Sequence, residues 1–330
     1  MSSAALLLAG IAAVLASSSL FTNGLEWLGS RLRLSHGALG SVFAALGTAL
    51  PEASIAVLAA VLPDRQAGLG QAVSIGAVLG APLLLGTLGF AVLGLGALRA
   101  REPELRVGWR SVRRDLVFFL GTFGAACLLG VIGAPLALRL ATAVLLALAY
   151  AAFVVATLTA VVPTGRTERP HPLLLTRIVG GRANPAAVVI ALQLAAALGL
   201  MLLGAELFVH TLTGIASSVG LSGFFLAALI APLATELPET VNSLVWIARG
   251  KDALASGNVT GALVLQGAVI PALGMMFTPW HFDFVEGVAA AVALGGATLV
   301  LVALSVEHRL RPWVLLLAGT LYVGFVLWAL

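Results

Sequence analysis

Long stretches of this chain are almost wholly apolar, and the polar residues gather in short intervals between them. An apolar run of about twenty residues can carry a helix across a hydrocarbon core of about 30 Å. Ten such runs are legible: 4–28, 36–62, 69–98, 115–132, 136–162, 185–210, 222–248, 253–276, 284–306 and 312–330. The pattern predicts an all-α polytopic membrane protein with ten transmembrane helices. Segment 163–184, with its Pro, Gly, Arg and Thr, separates the first five runs from the last five. Expected units are therefore a first five-helix repeat over 1–162, a central cytoplasmic loop over 163–184 and a second five-helix repeat over 185–330. An odd number of spans per unit makes the second unit enter from the opposite side. The two are expected to be inverted repeats that meet around a site near the bilayer midplane.

Two polar insertions break the apolar pattern in related ways. Gly47-Thr48-Ala49-Leu50-Pro51-Glu52 lies within the second run, and Ala234-Thr235-Glu236-Leu237-Pro238-Glu239 within the seventh. A carboxylate at bilayer depth costs several kcal/mol and is rarely idle. Proline lacks an N–H and clashes with the carbonyl four residues back, so each helix should open near Gly47 and near Ala234. The released carbonyls need a partner inside the membrane, whether protein, water or a cation. Thr48 and Glu52, like Thr235 and Glu239, are four apart and share a helical face. Carbonyl, hydroxyl and carboxylate oxygens together form a hard site suited to calcium or sodium. Two such half-sites face to face would supply the two negative charges that balance a divalent ion. Either copy alone also reads as a proline kink with a snorkelling glutamate; recurrence of Thr-x-Leu-Pro-Glu argues against that.

The internal match extends further. Gly24-Leu25-Glu26 precedes the first insertion and Gly204-Ala205-Glu206 the second. Ser35 and Ser222 stand at equal distances before Pro51 and Pro238.

Composition and charge then narrow the class. With 60% hydrophobic and 10% charged residues the chain is not a soluble domain. Its single cysteine, Cys127, rules out a disulfide framework and a cysteine-based metal site. The pI of 10.2 does not point to nucleic acid, because the basic residues are scattered in short inter-helix loops without an interleaved aromatic platform. Topology accounts for them. With the N-terminus outside, every Lys and Arg except Arg65 and Arg139 falls on the cytoplasmic side, as the positive-inside rule requires. Both termini are thus expected outside, in a multi-pass protein of a bacterial or archaeal plasma membrane. Residues 1–19 have an apolar core followed by small residues but no positive n-region, so an uncleaved first helix is expected.

These residues resemble the sodium/calcium exchanger superfamily of cation antiporters, whose two inverted repeats each carry Gly-Thr-Ser-Leu-Pro-Glu. The resemblance is most specific over 24–86 and 204–274. It implies that Thr48, Glu52, Thr235 and Glu239 line the ion site. The family's next helix in each half carries Gly-Ser-Asn-x-x-Asn, with its last polar residue 27 positions after the glutamate. In the second half that position is Gln266, in Gly257-Asn258-Val259-Thr260-Gly261-Ala262-Leu263-Val264-Leu265-Gln266; in the first it is Leu79. Other departures are Ala49 for the family serine, Glu236 at its partner position, and Ile75 and Ala262 for hydroxyls. Fewer hydroxyls and amides weaken the case for sodium coupling. Glu236, a third membrane carboxylate, is a titratable group that suits proton coupling, unless it faces an extracellular vestibule; with Gln266 it completes an expected cation site of Thr48, Glu52, Thr235, Glu236, Glu239 and Gln266.

Glu26 and Glu206 are expected as interfacial anchors or as groups tuning an ion path, His36 and His210 as interface residues, and Gln71 and Ser74 as polar groups opening the third helix. Trp27, Trp109, Trp246, Trp280, Trp313 and Trp328 are expected in an interfacial belt. Gly68-Leu69-Gly70 is too short for a nucleotide fingerprint. The expected function is secondary-active antiport of calcium against sodium or protons, with no cofactor, no enzymatic activity and the lipid bilayer as surroundings. A channel or an inactive homologue is the alternative. An intramembrane hydrolase is not expected, because no span contains an aspartate pair, a His-Glu-x-x-His helix or a Ser-His arrangement at helical spacing.

Overall fold

In a computed structural model the described residues are 3–32, 34, 38–45, 69–100, 104–159, 171–179, 185–218, 229, 232–233 and 236–329. Among them the regular structure is helical: α1 Ser3–Leu32, a π-helical turn Leu39–Ala44, α2 Leu69–Leu84, a second π-helical turn Leu85–Gly89, α3 Phe90–Arg99, α4 Trp109–Val131, α5 Leu136–Thr159, α6 Leu174–Val179, α7 Ala187–Ser218, α8 Leu237–Ala248, α9 Asp252–Phe277, α10 Phe284–Glu307 and α11 Pro312–Ala329. Eight helices of the described residues are long and apolar enough to cross a membrane. They correspond to eight of the ten runs. The second run beyond Ala45 and much of the seventh lie outside the described residues.

Several boundaries shift. The fourth span begins at Trp109 rather than at 115, so Asp115 sits inside the helix, and α7 continues to Ser218. The central segment, expected as loop, contains the short helix α6. Asn23 on α1 and Gln193 on α7 hold that segment: Leu174 N donates to Asn23 Oδ1 at 2.9 Å and Leu175 N to Gln193 Oε1 at 2.8 Å. The third span is interrupted as well. Pro82 removes a donor inside α2, and the chain passes through a π-helical turn before α3 resumes.

Helix α9 is the axis of the bundle. Its most apolar window is 83% buried, against 22% for α5. It packs against α2, α4, α5, α8 and the first π-helical turn. Small residues make the last of these contacts possible. A Cβ on Gly40 would come within 2.7 Å of Leu254 O, and one on Gly261 would overlap the Ser41 backbone. Glycine thus lets the two backbones touch. On the outside of the bundle Leu145, Leu148, Val155, Leu192 and Leu203 are exposed, the surface hydrocarbon would cover.

The connecting segments collect at two ends. Leu105 bridges Leu310, Arg106 N donates to Asp252 Oδ2, and Glu104 pairs with Arg309. Arg31 reaches Pro185 O at 2.7 Å, and Lys251 reaches Glu26 at 2.6 Å. These basic segments therefore share one end. At the other, Phe282 N donates to Gly130 O and Arg139 Nη1 to Thr278 O. Helices α1 and α7 lie antiparallel, since Gly204 abuts Gly10 and Val14 while Gly24 abuts Leu194.

The tryptophans divide. Trp313 and Trp328 are exposed, but Trp246 and Trp280 are completely buried and belong to the core rather than to an interfacial belt. Trp280 Nε1 donates to Ala126 O at 2.8 Å, which explains how an indole tolerates that position.

Candidate functional site

The second polar insertion produces a helix that starts inside the bundle. Helix α8 begins at Leu237, with Glu236 at its N-cap and Pro238 in its first turn, where a missing N–H costs nothing. From Glu239 to the end of α8 at Ala248 is about 14 Å at 1.5 Å per residue, near half the hydrocarbon thickness. Glu239 lies in the first turn, where the positive end of the helix dipole favours a carboxylate.

Glu236 and Glu239 are both fully buried. Gln266 Nε2 of α9 donates to Glu236 Oε1 at 2.6 Å. One layer further along, Asn258 Nδ2 donates to the Glu239 carbonyl at 3.0 Å and to Ser243 Oγ at 3.2 Å. Ser243 Oγ in turn donates to Ala255 O. Two carboxylates, two amides and a hydroxyl thus line the seam between α8 and α9, shielded from water. A buried carboxylate is retained in an apolar bundle only if something compensates it. Gln266 supplies one neutral donor; a cation in the same seam would supply the charge.

Of the six predicted site residues, Glu236, Glu239 and Gln266 lie together along this seam. Thr48, Glu52 and Thr235 lie outside the described residues. The apolar replacements are equally definite: Ile75, Leu79 and Ala262 are buried in the hydrophobic core, so these positions offer no side-chain oxygen.

Sequence reasoning passed over a second buried polar centre. Asp115 on α4 is completely buried. Its Oδ2 accepts from Ser41 Oγ at 2.7 Å and from Thr260 Oγ1 at 2.8 Å. Its Oδ1 accepts from Arg114, at 3.0 Å from Nε and 2.7 Å from Nη2. Each carboxylate oxygen is used, so Asp115 is a clamp joining the first π-helical turn, α4 and α9. Asn242 was also passed over, although it follows Glu239 at helical spacing. Glu26 is buried at the basic end, 2.6 Å from Lys251 and 3.7 Å from Arg249, whereas Glu206 is exposed. His36 lies outside the described residues.

The family described as sodium/calcium exchanger protein matches residues 2–159 and 189–330. The chain belongs to the sodium/calcium exchanger family. It is a multi-pass ion transporter of the antiporter class rather than an enzyme. A relative in Alkalimonas amylolytica, named as an antiporter, CaxA, is 26% identical over 327 residues, covering 96% of this chain and 95% of that one. Among solved structures, the sodium-calcium exchanger NCX_Mj soaked with zero Na+ and Ca2+ aligns with a TM-score of 0.74 at 23% identity, over 98% of both chains. The same exchanger soaked with 2.5 mM Na+ and 0.1 mM Sr2+ aligns at 0.75 and 21% identity. The family's fold is therefore shared nearly end to end.

Proposed function

We propose that this exchanger-family member is a secondary-active antiporter that moves calcium against sodium or protons. The observation that carries the proposal is the α8–α9 seam, where Glu236 and Glu239 are fully buried about halfway through the bundle with Gln266 and Asn258 against them. Glu239 and Glu52 are the central acidic ligands, with Thr235 and Thr48 beside them. The antiparallel packing of α1 and α7, and the collection of basic segments at one end, favour inverted repeats over 1–162 and 185–330 with both termini outside. The names of the relatives, an antiporter and a sodium-calcium exchanger, agree with this reading.

The two competing ions would occupy the same acids in turn, so that loading one requires releasing the other. Reconstituted vesicles test this. Calcium uptake should follow an imposed sodium gradient or an imposed pH gradient and be lost in Glu52→Gln and in Glu239→Gln. Uptake persisting in either variant rules out the assigned ligands, and steady conductance without a counter-ion points to a channel.

A further inference from the structure

The orientation of two amides in the seam leaves their oxygens over. Asn258 Nδ2 faces a backbone carbonyl, that of Glu239, and Gln266 Nε2 faces a carboxylate oxygen of Glu236. The Glu239 carbonyl can only accept, so the Asn258 NH2 group must point at it and the Asn258 carbonyl oxygen must point away; the same holds at Gln266 while Glu236 is ionised. Neither Asn258 Oδ1 nor Gln266 Oε1 has a hydrogen-bond partner. The two oxygens are eight residues apart on α9, about 12 Å, and cannot serve one ion. Gln266 belongs to the layer of Glu236. Asn258 belongs to a separate layer at Glu239 and Ser243.

That lower layer contains Asn242. Glu239, Asn242, Ser243 and Trp246 are spaced i, i+3, i+4 and i+7, so they form one stripe on α8. The bonds from Asn258 to Glu239 and Ser243 turn that stripe toward α9. Asn242 is completely buried, and neither its Oδ1 nor its Nδ2 has a partner. A buried amide left unpaired costs about 1–3 kcal/mol for each group, and such a group in a native fold calls for a water or an ion. Leucine or valine would fill the same volume without that penalty.

We propose that Asn242 Oδ1 and Asn258 Oδ1, level with Glu239, bind one monovalent cation of sodium's size and hardness, on the basic-loop side of the Glu236–Gln266 layer. The inference rests on the antiporter reading above. Amide carbonyls are hard neutral donors, so they favour an alkali ion, and they add no charge that would select a divalent one.

The test is thermal unfolding of the purified full chain in detergent, titrated with sodium at constant ionic strength in potassium, and separately with calcium. Binding to the folded state raises the midpoint. Wild type should respond to both ions. Asn242→Leu should need at least tenfold more sodium for the same rise while keeping its calcium response. An unchanged sodium response overturns the proposal and assigns the cradle to water. A wild type that responds to calcium but not sodium also overturns it, and leaves the antiporter reading standing. No response to either ion, with no gradient-driven flux, removes both. Should Asn242→Leu fail to fold, Asn242→Thr and Asn242→Val, of nearly equal volume, replace it. Thr must remain the more sensitive to sodium, and equal sensitivity overturns the proposal.

Discussion

Ser41 and Asp115, 74 positions apart, are joined by a 2.7 Å hydrogen bond buried inside the bundle. Ser41 lies seven positions before Thr48, so the bond anchors the chain that leads into the first polar insertion. Thr260 and Arg114 complete the coordination of the carboxylate. Asp115→Ala should destabilise the protein by about 3–5 kcal/mol, because it strands two buried hydroxyls and the Arg114 charge. Ser41→Ala should cost about 1.5–3 kcal/mol, since it removes one bond to a charged group. Unfolding in detergent measures both, and an Asp115→Ala protein as stable as wild type would show that the clamp is not structural.

Contact between the first π-helical turn and α9 makes a sharper steric prediction. A Cβ on Gly261 would overlap Ser41 backbone atoms, and backbone cannot turn aside as a side chain can. Gly261→Ala should therefore cost about 1–3 kcal/mol through overpacking. Gly295→Ala is the control. Nothing lies within 4 Å of its added Cβ, so replacing a helical glycine there should stabilise by up to about 1 kcal/mol. The two substitutions are chemically identical and should move the unfolding midpoint in opposite directions.

How much of this was legible follows from what a linear pattern records. Span limits such as Leu136–Thr159 and Pro312–Ala329 are within a few residues of expectation, because about twenty apolar residues in lipid leave little choice but helix. The break at Pro238 was equally readable, since proline acts locally. Pairings across space were not. Asp115 stands at the edge of an apolar run, where an acid usually faces water, and nothing near it in sequence names Ser41 or Thr260. Trp246 and Trp280 follow the same logic: their positions near span ends matched an interfacial belt, but depth along the membrane normal does not reveal which way a side chain turns.

Glu26 ties α1 to the turn between α8 and α9. Its carboxylate is almost fully buried, 2.6 Å from Lys251 Nζ and 3.7 Å from Arg249 Nη1. Among the described residues, helices α1 and α7 pack extensively on each other and meet the rest of the bundle mainly through α8. The pair at the basic end is thus a fastening between that two-helix unit and the site-bearing helices. A double-mutant cycle on Glu26→Gln and Lys251→Met should give a coupling energy of about 1–3 kcal/mol, above the range of an exposed pair. A coupling near zero would mean that Arg249 alone suffices as counter-charge.

Glu236 allows the coupling ion to be separated from the substrate. Glu236→Gln keeps an oxygen that can accept from Gln266 Nε2, so the 2.6 Å contact and the fold should survive the loss of charge. Glu239 remains to hold a cation. If Glu236 is the group that carries the proton, calcium flux driven by a pH gradient should fall at least tenfold in the variant, while flux driven by a sodium gradient continues. Gln266→Leu makes the complementary change. It removes the amide donor that Gln266 gives the buried Glu236 carboxylate, so it should impair folding as well as both fluxes. Equal loss of both fluxes in a well-folded Glu236→Gln protein would instead make Glu236 a ligand for the transported metal.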